Sequence, residues 1–175
     1  GDGFGPPDQS PSARFIIWPC GSSNDDLSLD AFMDGVRIPE GIKTGTQQGF
    51  LDANDTLVDH VWAWRADHGD VKPGWTINPA DTGLVVNGAH VLATGLFVEH
   101  FRQYQVVWNG EDGRTIFFQN EMPYDVPDQA GWTSGHGQGW AAYKVGADVR
   151  RHEAWGLGSY CYFAIDHRNT HVVAA

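Results

Sequence analysis

Apolar residues in this chain come in short bursts separated by turn signals. Leu57-Val58 and Val61-Trp62-Ala63-Trp64 form a first set. Leu84-Val85-Val86, Val91-Leu92 and Leu96-Phe97-Val98 form a second, and Val106-Val107-Trp108 with Thr115-Ile116-Phe117-Phe118 a third. Each burst is β-branched or aromatic and too short for a helix, and the bursts are punctuated by Asn-Gly and Asp-Gly, so each predicts a strand between tight turns. The bursts also repeat. Asn87-Gly88 leads to Glu99 and Asn109-Gly110 leads to Glu121, with 22 residues from Asn to Asn and from Glu to Glu. A fixed period of this size signals stacked units, none of which buries its own apolar face alone. The pattern predicts an all-β fold, a single-stranded parallel β-helix of about 22 residues per coil. Residues one period apart then sit side by side on neighbouring rungs, about 4.8 Å apart. Glu99 and Glu121 are expected to form such a pair.

The periodicity fades outside this stretch. Residues 1–50 are rich in Gly, Pro, Ser and Asp and are expected to form an irregular N-terminal cap, with a strand at Phe15-Ile16-Ile17-Trp18 and a short helix from Leu27 to Val36. Residues 51–175 are read as the β-helix domain. Pro123, Pro127 and a cluster of glycines interrupt it with a long loop over 123–142, and a further insertion runs from Asp67 to Thr82. Tyr143-Lys144-Val145 resumes the ladder and is expected to bring Glu153 to the face of Glu121, 32 residues on, one period plus about ten.

Charge narrows the partners. Acidic residues number 22 against 11 basic ones, a net charge of −11. Nucleic acid and anionic membrane surfaces require clustered Lys and Arg, so neither is expected as a partner. No apolar run reaches the length of a membrane span. The first residues carry no secretory signal, and a secreted protein whose signal has been removed reads the same way. Cys20 and Cys161 either close one long disulfide loop or remain two thiols; neither their number nor their spacing is that of a metal site.

The residues within these rungs carry a resemblance. Val61-Trp62-Ala63-Trp64-Arg65-Ala66-Asp67-His68-Gly69, Gly95-Leu96-Phe97-Val98-Glu99-His100 and Trp108-Asn109-Gly110 resemble phrases in bacterial members of glycoside hydrolase family 55. Gln119-Asn120-Glu121-Met122-Pro123-Tyr124-Asp125 and His152-Glu153-Ala154-Trp155-Gly156-Leu157-Gly158-Ser159-Tyr160 continue the match, which covers roughly residues 51–163. The family comprises exo-acting β-1,3-glucanases built from two tandem right-handed β-helices. The resemblance implies that this stretch corresponds to part of the second helix, that the helix is right-handed, and that the protein is a secreted, metal-free, cofactor-free inverting hydrolase of β-glucan. It also implies that a second β-helix, in the same chain or another, helps to complete the site.

Inverting hydrolysis needs a carboxylic acid to protonate the leaving oxygen and a base on the opposite face of the sugar. The match makes Glu121 the acid; Glu99, one rung away, is expected to be the like charge that raises the proton affinity of Glu121. Ordinary solvated glutamates are the bland alternative. Trp62, Trp64, Trp108, Trp132, Trp140 and Trp155 are candidates to stack on pyranose rings, with Trp132 and Trp140 favoured because they lie in the glycine-rich loop, although any single Trp is more often core. His100 follows Glu99 at a strand end and suits a sugar hydroxyl, as His68 following Asp67 does. Tyr124, Asp125 and Glu153 complete the expected substrate-binding set. No third ligand sits at a recognisable spacing from these histidines, so no metal site is expected. The competing readings are a non-catalytic glucan-binding or structural module, and a fragment active only with its partner β-helix.

Overall fold

The computed structural model describes residues 14–15, 36–37, 49–68, 73–135 and 137–163. In chain order the strands are β1 (Arg14–Phe15), β2 (Val36–Arg37), β3 (Gly49–Leu51), β4 (Leu57–Trp64), β5 (Leu84–Val86), β6 (Leu92–Glu99), β7 (Val106–Trp108), β8 (Gly113–Glu121), β9 (Thr133–Ser134), β10 (Gly137–Gln138), β11 (Tyr143–Val145) and β12 (His152–Tyr160). The long strands form one parallel sheet in the order β1-β4-β6-β8-β12. The short ones form a second sheet, β11-β7-β5-β3, parallel throughout, with β2 antiparallel at its edge. From β3 onward short and long strands of the two sheets alternate along the chain, each pairing with its equivalent one coil later, so the architecture is a parallel β-helix. The expected fold class is borne out.

The long strands are bent. His60, Gly95, Phe117 and Gly156 all have left-handed backbone, with φ of 52°, 60°, 63° and 67°. They occupy one register position across β4, β6, β8 and β12. This column turns each long strand into two legs, which explains why Leu57-Val58 and Val61-Trp64 read as separate bursts. A second left-handed column, Asp55, His90 and Asp112, stacks in the turns that precede these strands.

The Asn-Gly repeat is a stacking device. The Asn109 side-chain amide donates to Asn87 Oδ1 at 2.9 Å, and Asn87 donates to Asp52 Oδ1 at 2.8 Å. A Cβ on Gly110 would lie 1.7 Å from the Gly88 carbonyl oxygen, and one on Gly88 would lie 1.8 Å from the Ala53 oxygen. Only glycine lets successive turns approach this closely. Inside the coils, Leu51, Val58, Val61, Leu84, Val86, Val91, Ala93, Leu96, Val98, Val106, Trp108 and Phe118 form one continuous core.

Insertions explain why the period is legible in only one place. Leu96 pairs with Phe118, 22 residues on. Leu57 pairs with Leu92 across 35 residues, and Phe118 with Leu157 across 39. The first insertion lies where the sequence places it, between Asp67 and Thr82. The second corrects the expected position of Glu153: it pairs with Arg114 at the start of β12, and Tyr160 pairs with Glu121. The β7-to-β11 offset is already 37 residues, from Val106 to Tyr143, so the 123–142 loop adds 15 residues to the period rather than about ten and the β11–β12 turn adds two more; β12 therefore starts later than a count from β8 suggests. The 123–142 loop contains the small β9–β10 hairpin. Of the expected N-terminal elements, the proposed helix from Leu27 lies outside the described residues apart from Val36, which is in β2. Arg14–Phe15 pairs with β4.

Replacing Gly110 with Ala should force two turns apart and cost about 1–3 kcal/mol, the usual range for overpacking. A Cβ at Gly135 meets nothing within 4 Å, so Gly135→Ala should stay within about 0.5 kcal/mol of wild type. Urea midpoints measure both, and equal losses would contradict this turn stacking.

Candidate active site

Strand alternation decides which side chains face outward on the second legs. Val61, Leu96, Val98, Phe118 and Asn120 point inward and are buried. Trp62 and Trp64 of β4, Phe97 and Glu99 of β6, and Gln119 and Glu121 of β8 therefore share the outer wall. Trp64 pairs with Glu99, and Glu121 with Tyr160. The register that joins Phe97 to Gln119 carries on to Glu99 and Glu121, and His100 N–H donates to the Glu121 carbonyl at 2.8 Å. Glu99 and Glu121 are on adjacent rungs of one wall.

The two carboxyls differ in surroundings. Glu99 is only 9% exposed, and the Trp62 indole N–H donates to its Oε2 at 2.8 Å. Burial is the main force holding its proton above the usual carboxylate range. The indole bond works against this, while the charges of Glu121 and Asp67 reinforce it. The Glu121 side chain is 31% exposed. The Tyr124 hydroxyl donates to its Oε2. That phenol is held well above its ordinary range by burial and by the carboxylate it serves. His100 Nε2 lies 3.7 Å from Glu121 Oε2 and 3.7 Å from Asp67 Oδ2. Burial lowers the His100 pKa, against the pull of both acids.

Arg65 ties the wall together. Its side chain is 1% exposed. It donates through Nε to the Asn78 carbonyl at 2.9 Å, through one terminal nitrogen to the His100 carbonyl at 3.0 Å, and through both to Asp125. A bidentate Arg–carboxylate pair fixes orientation as well as distance. Here it docks the loop after β8 onto the end of β4 and so places Tyr124, the preceding residue, against Glu121. Trp75 lies over the guanidinium at 5.7 Å.

The structure sorts the residues singled out in the sequence. Glu99, Glu121, His100 and Tyr124 come together. Asp125 stands beside them but is engaged by Arg65. Trp132 is fully buried, its indole donating to the Arg102 carbonyl at 2.7 Å, and it packs with Met122 and Val126. It has no free face for a sugar, because the loop folds back over a small core of its own. Trp140 packs on that cluster and meets Tyr104 edge-on at 5.0 Å. Glu153 pairs with Arg114 at 3.1 Å and Arg151 at 3.3 Å, on the first leg and away from the wall. The aromatic surface beside the carboxyls is instead Trp62 and Trp64, stacked at 5.5 Å and 28°, with His68 against Trp64 at 5.0 Å. Aligning strand ends, rather than Asn-Gly turns, singles out Trp64: Trp64, Glu99 and Glu121 each close a long strand. Cys161 is an exposed free thiol, and Cys20 lies outside the described residues.

Comparison with known proteins gives this wall a lineage. The LAM55 pectate lyase-like domain matches residues 22–121. This chain belongs to that family. The family membership agrees with the resemblance read from its rungs. An exo-beta-1,3-glucanase of Streptomyces sp. (strain SirexAA-E / ActE) is 58% identical over 116 residues, 66% of this chain and 19% of the relative. The solved structure of sacteLam55A from Streptomyces sp. SirexAA-E, also 58% identical, superposes with a TM-score of 0.63 over 65% of this chain and 21% of that one. A single-residue variant of that protein in complex with glucose gives the same TM-score and identity over 20% of its length. The chain thus spans about a fifth of the curated relative it matches.

Two outcomes test the site's physical description. The native state holds the Glu99 proton more tightly than the unfolded chain does, so this residue's contribution is most favourable at acid pH and is lost as pH rises. Glu99→Gln does not titrate; its melting temperature relative to wild type should therefore rise between about pH 4 and pH 7. A constant or falling difference contradicts the burial argument. Separately, Arg65→Ala leaves Asp125 and the His100 carbonyl without their donor and should cost about 3–5 kcal/mol in denaturant titration.

Proposed function

We propose that this chain supplies the acid-bearing wall of a secreted exo-acting β-1,3-glucanase that works with inversion. The observation that carries this reading is the pairing of Glu99 and Glu121 on adjacent rungs, beside stacked Trp62 and Trp64, in a chain 58% identical to an exo-beta-1,3-glucanase. Glu121 is the general acid: it is the more exposed carboxyl, and Tyr124 fixes one of its oxygens. Glu99, one rung away, is the more buried carboxyl, and its coupling to Glu121 makes the wall hold a proton more readily than a lone glutamate does. Trp62 and Trp64 offer ring faces for the apolar face of a β-linked glucose.

Inversion requires acid and base on opposite faces of the sugar. Glu99 and Glu121 share one wall, so the group that activates water belongs to an element facing that wall. A second β-helix, in the same polypeptide or a partner, is the natural source. The alternative reading, a glucan-binding module without turnover, rests on the same stacked tryptophans.

Glu121→Gln should lower the rate of sugar release from laminarin by about 10²–10⁴-fold, the usual worth of a positioned acid. It should spare an activated aryl β-glucoside, whose leaving group needs no proton. Equal laminarin rates for variant and wild type would remove Glu121 as the acid. Laminarin pull-down without hydrolysis would favour the binding module. Activity that appears only on adding the partner β-helix would favour the split site.

A further inference from the structure

His100 follows Glu99 at the end of β6, His68 follows Asp67 in the turn after β4, and the fold brings the two pairs into contact. His68 Nδ1 is 2.6 Å from Asp67 Oδ1, and its side chain is 79% exposed. The other Asp67 oxygen faces His100 Nε2, which also faces Glu121 Oε2. His100 Nδ1 lies 3.2 Å from the Met122 carbonyl. A carbonyl only accepts, so Nδ1 carries the hydrogen and the neutral ring leaves a lone pair on Nε2. That lone pair points at two carboxyl groups. The arrangement is repulsive with both ionised and favourable once a proton lies between them.

We propose that His100 is a positioning residue that carries a proton at Nε2 from Asp67 to Glu121, along a path that begins at solvent-exposed His68. The inference rests on Glu121 being the acid. After the leaving group departs, Glu121 is a carboxylate. A proton reaching Asp67 passes on to Nε2, leaving Asp67 ionised and His100 an imidazolium. The imidazolium N–H then passes to Glu121, restoring neutral His100. Asp67 takes a proton from His68 Nδ1, and His68 takes one from water. The net change is one proton moved from solvent to Glu121. Both 3.7 Å gaps close on a small tilt of the ring about its Nδ1 anchor, or by way of one water. The remaining polar and charged groups around His100 are Arg65, bonded to its carbonyl and opposing an imidazolium; Glu99, the preceding residue; and Tyr124, edge-on to the ring at 4.5 Å with its hydroxyl on Glu121. Tyr124 donates to Glu121 and leaves Nε2 free for the exchange.

The deciding experiment needs no turnover. Imidazole ¹⁵N NMR of the chain should show neutral His100 as the Nδ1–H tautomer. Its titration midpoint should fall by about one pH unit or more in Asp67→Asn and again in Glu121→Gln, since each removes an opposite charge. An Nε2–H tautomer, or midpoints unmoved by both substitutions, would overturn the proposal; a histidine that serves only to hold the Met122 carbonyl gives that result. Where the protein turns over, His100→Asn should slow laminarin hydrolysis, spare the activated aryl glucoside, and recover on adding free imidazole. Equal loss on both substrates without recovery would also overturn it. Wild-type protein that shows the coupled titration but no hydrolysis would instead overturn the glucanase reading.

Discussion

Close stacking of one turn on the next is the constraint on which everything else here depends. The Asp52–Asn87–Asn109 amide ladder and the absence of a Cβ at Gly88 and Gly110 set the distance between successive turns. Parallel backbone pairing then propagates one register through all long strands. Each side chain inherits its neighbours from that register. Val61, Leu96 and Phe118 fall inward on successive rungs, and whatever occupies the alternate positions is displayed as a column. The carboxylate pair is therefore a consequence of the stack rather than of a local motif.

The stack also explains why two glutamates one period apart are chemically unlike. Glu99 lies between rungs, covered by Trp62 and neighbours above and below, and its charge is penalised by burial. Glu121 lies where the chain leaves the wall for the 123–142 loop, and so is more open. The loop returns at once to place Tyr124 on Glu121, because Arg65 grips Asp125. Glu121 and Asp67 face one buried imidazole here, and burial together with those two charges raises the proton affinity of Glu99. A raised proton affinity in such a cluster is the resource an acid catalyst needs.

The fold was legible in the sequence because the 87–99 and 109–121 coils carry no insertion, so their period stands out unaided. The adjacency of Glu99 and Glu121 followed from it directly. The flanking coils were obscured by insertions of unequal length. This is why Glu153 was matched to the wrong end of β12, and why the pairing of Trp64 with Glu99 went unseen. Trp132 misled for a different reason: a glycine-rich loop suggests exposure, whereas this one folds over its own small core. Arg65 had no periodic signal, since its role depends on a loop that closes 60 residues later.

The central claim is that Glu99 and Glu121 are electrostatically coupled on one wall with Trp62 as the witness. The Trp62 indole N–H resonance, followed through an acid titration, reads this directly, because that hydrogen is donated to Glu99. The account predicts a titration with its midpoint above the ordinary glutamate value, moving to lower pH in Glu121→Gln as the neighbouring charge is removed. An indole signal that does not titrate, or one whose midpoint is the same in both proteins, would contradict it.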